Sequence, residues 1–389
     1  LELDPAGDPD LVVEHDALFP RLAVSGWLGL AESFMAGEWR SDRLADVLEA
    51  LISTGYRPRG GIPGRLPSPG RYGGGELPAE LVRLSSGDGF SAFGGVFASG
   101  VPTTVRTAVP SHVPGHSRGR GLATHFVDLT TFSDPEDVDR EDLGDAQART
   151  VEMLLDAARV TAGTHLLEYP STGGAVAIGA AHRRATVDTL TADPRQARWV
   201  TEQLMLAGVD ASVHTEVIEH PVPGPRDWRG SHDAIVSVEK LEVLDERDRA
   251  GYIRALDRLL TMGGFVSMQT VIATDALSPV ARGALDALRA YVWPGLAYPT
   301  ATDVHRLVDR ECGLWITAQT HVGGHHQRSL AMQRSLFEGQ TREAAAAGFD
   351  IAYRRLWSYQ FALREALFRL RMLDTVQFTL THRNRSGRR

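Results

Sequence analysis

The sequence predicts an α/β protein built on a doubly wound, largely parallel sheet, and two patterns carry that reading. Beyond Gly121, apolar runs of strand length alternate with amphipathic stretches of helix length, which gives a parallel sheet covered by helices on both faces. Ahead of it, glycine and proline crowd residues 59–121 and set off a short N-terminal stretch with a helical pattern of its own. Three regions follow: a small N-terminal α/β domain (1–58), a linker (59–121) and the main domain (122–389).

In the first region, Leu11-Val12-Val13 reads as a strand and Gly29 to Met35 as the start of a helix. Arg40-Ser41-Asp42 offers an N-cap before Leu44, Val47, Leu48, Leu51 and Ile52, whose spacing puts one apolar face on a second helix. In the linker, Gly60-Gly61-Ile62-Pro63-Gly64 and Gly73-Gly74-Gly75 exclude long helices and inner strands. Phe90, Phe93, Val96 and Phe97 are its docking candidates.

The main domain then alternates. A helix over 142–159, with Val151, Leu154 and Leu155 inward, precedes a strand at His165-Leu166-Leu167-Glu168-Tyr169. A helix over 194–206 begins with proline in its first turn. The strand Ala234-Ile235-Val236-Ser237-Val238 leads to a helix over 246–260, which Gly263-Gly264 closes before the strand Phe265-Val266-Ser267-Met268-Gln269. Further strands near 314–317 and 376–380 flank a helix over 351–374. Right-handed crossovers place the ligand crevice at the strand C-termini.

Composition narrows the function class. The 389 residues are 43% apolar and 23% charged, ordinary for a soluble globular protein. No apolar run approaches the roughly 20 residues a membrane helix needs, and the first residues do not read as a signal peptide. A lone cysteine, Cys312, excludes an internal disulfide and any CxxC metal site, so the default location is cytoplasmic. A net charge of −8 argues against nonspecific nucleic-acid binding. The basic tail, Arg383, Arg385, Arg388 and Arg389, is either solvated or a peripheral contact with the inner membrane face.

Five phrases now stand in order along the chain. Gly29-Leu30-Ala31-Glu32-Ser33-Phe34-Met35-Ala36-Gly37-Glu38-Trp39 is close to GLGESYMDGEW, and Ala234 to Glu242 is close to IVSVEMIE. Asp257 to Leu260 with Gly263-Gly264 and Met268-Gln269, then Tyr291-Val292-Trp293-Pro294-Gly295, and finally Tyr353 to Trp357 through Gln377-Phe378 complete the set. Together they resemble the cyclopropane-fatty-acid-synthase family of S-adenosylmethionine-dependent lipid methyltransferases. The resemblance implies a Rossmann-like class I methyltransferase fold of seven strands, the last antiparallel. It also implies one-carbon transfer to the double bond of a lipid or fatty-acyl chain, a bound bicarbonate as base, and frequent dimers.

Mapped onto this chain, the resemblance assigns cofactor binding to Glu168, Gly173, Gly174, Thr191 and Gln196. It assigns the chemistry to Glu242, Gln269, His326 and Asp134, with Asp134 in place of a cysteine and His326 in place of a tyrosine. The cofactor loop departs from the family's EIGCGWGG: Pro170 and Thr172 replace its first two glycines, removing an N–H and adding a stiff side chain. The motif that folds over the cofactor is reduced to His116-Ser117-Arg118. These departures predict a disabled cofactor site and a non-catalytic partner or scaffold, paired with itself or with an active paralogue. The alternatives are a working S-adenosylmethionine-dependent transferase and a repurposed cyclase or isomerase using His326, Asp134 or Glu242. His321, His325 and His326 are expected to hydrogen-bond rather than hold a metal. Trp27, Trp39, Trp293 and Trp357 are expected in the core or at a subunit contact.

Overall fold

The predicted alternation closes into a mixed sheet in a computed structural model that describes residues 10–56, 76–114, 123–220, 222–224 and 228–383. Near the N-terminus, β1 (Val12–Val13) pairs antiparallel with β2 (Trp39–Arg40) across α1 (Leu18–Ala36), and α2 (Leu44–Ser53) follows. Helix α1 joins two helical stretches across a kink at Gly26 (φ 56°, ψ −126°): the second is the helix expected from Gly29, and a preceding one from Leu18 carries Pro20 in its first turn. On α2, Leu44, Val47, Leu48 and Ile52 are buried, as their spacing requires.

After the short α3 (Ala79–Arg83), β3 (Pro102–Pro110) and β4 (Thr124–Phe132) form an antiparallel ribbon. Next come α4 (Leu143–Ala157), β5 (His165–Glu168), α5 (Ala175–His182), β6 (Thr186–Thr191), α6 (Pro194–Ala207), β7 (Val213–Val217), β8 (His232–Val238), α7 (Glu246–Leu259) and β9 (Leu260–Ala273). The short helices α8 (Pro279–Ala284) and α9 (Asp286–Tyr291) lead to α10 (Ala301–Glu311) and β10 (Leu314–His321). Then α11 (Gly323–Gly339), α12 (Thr341–Ala346), α13 (Ile351–Arg369) and β11 (Leu373–His382) complete the chain order.

Strand order is β3-β4-β10-β11-β9-β8-β5-β6-β7. The seven strands from β10 to β7 are the expected sheet, with β11 antiparallel to both neighbours. The ribbon extends it to nine, β4 running parallel to β10. Proline and polar residues confine β3 to the sheet edge, where it is largely exposed. Order reverses between β5 and β8, so the crevice lies above Glu168 and Val238.

Two boundaries differ from the sequence reading. Gly263 and Gly264 do not cap α7; they lie inside β9, where a Cβ on Gly264 would meet the Asp233 carbonyl oxygen at 2.6 Å. Close strand approach, not helix termination, is what that glycine serves. Helix α13 stops at Arg369, where the chain turns through Arg371 at φ 54°.

One apolar cluster packs Leu167, Ile235, Met268 and Val376 of the sheet under Leu256 of α7 and Val304 and Val308 of α10. Another sets Leu166, Val187 and Val236 against Val151, Leu154 and Leu155 of α4, Val176 of α5 and Val200 of α6. Helices on both faces are the doubly wound arrangement. A third cluster unites Trp27, Trp39 and Leu48 with Trp293, Trp357 and Phe361, all four tryptophans buried.

Candidate active site

The loop leaving β5 begins at a carboxylate. Glu168 is fully buried and accepts from the Thr172 backbone N–H at 2.8 Å and from its hydroxyl. That hydroxyl also accepts from Val176 N–H at 3.2 Å, capping α5. Burial raises the Glu168 pKa, with the Thr172 hydrogen bonds opposing. The turn relies on Gly173 (φ 81°) and Gly174 (φ 113°), a region open to glycine. A Cβ on Gly173 would stand 2.8 Å from the Phe90 carbonyl oxygen.

At the end of β6, Thr191 donates through its hydroxyl to Glu76, and Ala192 N–H reaches the same carboxylate at 2.9 Å. The Gln196 side chain borders Gly173 from α6. Gln196 Oε1 and Ser171 Oγ are buried with no hydrogen-bond partner among the described residues. Beside them Lys240 is buried, its Nζ 5.7 Å from the Tyr169 ring centre. Burial pulls its pKa down to about 8 against the attraction of Glu76.

A second group adjoins the first across the turn after β8. Glu242, 3% exposed, accepts from Thr270 Oγ1 at 2.6 Å and Val271 N–H at 3.0 Å. Glu239 precedes it at φ 49°, an uncommon conformation for a side-chain-bearing residue. Its carboxylate stands 3.5 Å from Gln269 Nε2, 3.6 Å from Arg364 Nη2 and 3.7 Å from His326 Nδ1. Burial lifts its pKa to about 7, with Arg364 opposing and Glu242 reinforcing. His326 stacks on Phe368, and its Nε2 faces Arg364 Nη2 at 3.2 Å. Burial and that guanidinium hold His326 well below its ordinary pKa, as the neutral ring. Arg364 also lies over Trp293, 5.6 Å from the ring centre.

One cleft joins the two groups. Glu76, Phe90, Pro170 to Thr172, Gln196 and Lys240 line one end, and Glu239, Glu242, Trp293, Tyr298 and Arg364 the other. Its roof is chain the sequence reads as linker. Gln147 of α4 pins that roof, accepting from Gly87 and Asp88 N–H and donating to the Ser91 and Phe93 carbonyls at 2.9–3.2 Å. Phe93, Val96 and Phe97 are buried beneath it, as expected of docking residues.

A family model described as mycolic acid cyclopropane synthetase matches residues 130–378. This chain belongs to that family. A tuberculostearic acid methyltransferase of Mycobacterium tuberculosis is 28% identical over 97% of this chain and 84% of its own length. The cyclopropane synthase MmaA2 from the same organism superposes with a TM-score of 0.55 at 22% identity, over 63% of this chain and 86% of that one. A mycolic acid cyclopropane synthase complexed with SAH and CTAB gives 0.53 at 19% identity, over 61% and 84%. At these identities the two structures establish the fold.

Within the cyclopropane synthetase fold, the resemblance-assigned residues divide. Gln196 lines one end of the cleft with Glu168, Gly173, Gly174 and Thr191 grouped around the β5 and β6 ends beside it, while Glu242 lines the other end, with Gln269 and His326 behind Glu239. Asp134 does not join them: it is exposed and ion-paired with Arg371. Its loop carries it to the surface beside α11, where Gly324 leaves it room. The three histidines do not converge either. His321 pairs with Asp374 at 2.7 Å, and buried His325 accepts from Phe97 N–H at 3.0 Å. His116, Ser117, Arg118, Arg385, Arg388 and Arg389 lie outside the described residues, whereas Arg383 binds carbonyls of residues 309–314. No helix among the described residues is long and apolar enough to cross a membrane.

Sequence reasoning missed Glu76, Glu239, Lys240 and Arg364. Glu239 and Lys240 stand within the quoted IVSVEMIE-like phrase, where a lysine replacing methionine was a visible signal. Glu76 and Arg364 are distant in sequence, and only the fold brings them in.

Proposed function

We propose that this protein is a working S-adenosylmethionine-dependent methyl or methylene transferase acting on the double bond of a lipid acyl chain. The observation that carries this reading is the cleft, which orphaned buried Gln196 Oε1 and Ser171 Oγ share with a buried cluster of Glu239, Glu242 and Arg364. Such desolvated ionisable groups are costly to a fold and concentrate where chemistry is done. A scaffold would gain nothing from holding them along an open cleft.

The residues present fit the cofactor. Gln196 Oε1 and Ser171 Oγ lack partners, and Glu76 and Gln196 offer acceptors for ribose hydroxyls or an ammonium group. S-adenosylmethionine, when bound, supplies an electrophilic methyl group. The chain's own contribution is to exclude water with Phe90, Phe93 and Trp293, to orient through Glu76 and Gln196, and to provide carboxylates beside the reacting end.

A second reading, a cofactor site closed for use as a scaffold, draws on one observation. The Thr172 hydroxyl is spent on Glu168 and Val176, and Pro170 carries no N–H. Calorimetric titration with S-adenosylmethionine and S-adenosylhomocysteine separates the two. The proposal expects a one-site isotherm at micromolar affinity, about −8 kcal/mol, and methylated product from vesicles of unsaturated phospholipid. Absence of heat at millimolar ligand would sink it in favour of the scaffold.

A further inference from the structure

We propose that Glu239 is the base of the reaction, a carboxylate built into the chain that receives the proton released after one-carbon transfer. The inference rests on the transferase reading above.

The chemistry requires such a group. When the π pair of an alkene forms a C–C bond to the incoming methyl group, the C–S bond breaks and leaves its pair on sulfur. The neighbouring alkene carbon is then cationic. Neutrality returns only when a C–H bond breaks: its pair closes a cyclopropane ring or forms a new double bond, and its proton goes to a base. That base must line the cleft, carry unused lone pairs and have a route for the proton to solvent.

Two carboxylates lie at this end of the cleft, and their hydrogen bonds separate them. Glu242 is consumed, with one oxygen 2.6 Å from Thr270 Oγ1 and the other 3.0 Å from Val271 N. Glu239 is encircled but not consumed. Gln269, Arg364 and His326 surround its oxygens at 3.5–3.7 Å, at or beyond the limit of a good hydrogen bond. Its side chain keeps 19% exposure, against 2% for His326. His326 does not line the cleft, and its Nε2 is turned to the Arg364 guanidinium, which disqualifies it as proton acceptor.

The backbone points the same way. Glu239 sits at φ 49° while its N–H donates to the Gln269 carbonyl at 2.8 Å. That strain, of order 1 kcal/mol, turns the side chain into the cleft at the end of β8. Arg364, at 3.6 Å, stabilises negative charge there and so favours release of the proton once it has been received. The charged and titratable groups facing Glu239 are therefore Arg364 from α13, His326 from α11, Tyr298 from the loop ahead of α10 and Glu242 from its own turn. Burial places its pKa at about 7, near the operating range a general base needs.

Three variants and one probe test the assignment. Glu239→Gln keeps the shape, and Glu239→Gly suits the left-handed backbone while opening space for a small carboxylate. With cofactor affinity within threefold of the unchanged protein, both should lose about 100-fold or more in turnover. Formate or bicarbonate should restore about tenfold to Glu239→Gly alone, and the unchanged protein should run equally well in carbonate-free buffer. Glu242→Gln should lose stability more than it alters the pH profile. Turnover within threefold in Glu239→Gln, or a bicarbonate requirement in the unchanged protein, overturns the proposal.

The probe is dodecyltrimethylammonium below its micellar concentration, a cation on an alkyl chain. Its binding should tighten as pH rises through about 7 and weaken about tenfold in Glu239→Gln. Equal binding by both proteins removes Glu239 from the cation's site and the proposal with it. If cofactor and product are both absent while this pH-linked binding holds, the transferase reading fails and Glu239 still faces the cleft as described.

Discussion

Glu242 and Glu239 are three residues apart and bear opposite burdens. Glu242 satisfies a hydroxyl and an amide that would otherwise be orphaned in the sheet. Glu242→Ala should therefore cost about 2–4 kcal/mol in urea unfolding, since each stranded buried donor costs about 1–3 kcal/mol, with Glu242→Gln costing less. Glu239 instead shapes the pH dependence. Its folded pKa of about 7 exceeds the ordinary 4.5 because burial penalises the charge. Its contribution to stability is thus fully present below about pH 4.5 and lost as pH rises through 7. The stability of the unchanged protein minus that of Glu239→Gln should fall across that window and level above it. The subtraction cancels His305, which lies away from Glu239 and whose lowered pKa destabilises the fold in acid. Among these residues Glu242 was legible from the sequence, because the phrase around it fixes its place after β8. The role of Glu239 was not, because direction comes from one backbone turn at φ 49° that no residue pattern encodes.

At the scale of elements, the part of the chain least legible in sequence matters most to the cleft. Glycine and proline in 59–121 argue against inner strands, and among the described residues of that range the one strand, β3, lies at the sheet edge. They hide the fact that residues 76–97 are fastened over the site by α4. Gln147 carries much of the fastening, its amide bonding four backbone groups of the roof, while Arg149 and Thr150 of the same helix donate to the Val96 and Gly94 carbonyls. Gln147 is buried on the inward face of α4, where the 3.6-residue period expects an apolar residue. Such a polar residue on an apolar stripe was a signal to seek backbone partners. Gln147→Ala should leave these groups unpaired, at about 1–3 kcal/mol for each one that stays buried. Amide hydrogen exchange at Phe90 to Phe93 should accelerate while β5 and β8 stay protected. Unchanged exchange in the roof would show that its other bonds, from Arg149, Thr150 and Gln333, hold it without Gln147. Five of the seven strands from β10 to β7 were legible because apolar runs alternate with helical stretches, and the count of seven came from the family resemblance, whereas the β3–β4 ribbon has no apolar face to announce it.

For the whole molecule, the N-terminal region looks separable in sequence, yet the apolar faces of residues 10–56 are buried in a cluster that also contains α8, α9 and α13. Trp39 is 1% exposed, donates from Nε1 to the Leu30 carbonyl at 3.0 Å, and packs on Phe34, which in turn meets Tyr359 of α13. Charge follows the same seam, with Arg369 reaching Asp46 and Glu49 of α2 as well as Glu365 of its own helix. Helix α13 also carries Arg364 to the cleft, so one helix faces the N-terminal region with one side and the proposed chemistry with the other. A region whose core is shared cannot melt alone without exposing the apolar side of its neighbour. Trp39→Ala should cost about 3–5 kcal/mol and lower the midpoint of the whole protein. Tryptophan fluorescence and far-ultraviolet circular dichroism should still report one coincident transition. Two separate transitions, with only the earlier one shifted by Trp39→Ala, would instead make residues 10–56 a domain of their own and disconnect α1 and α2 from the position of Arg364.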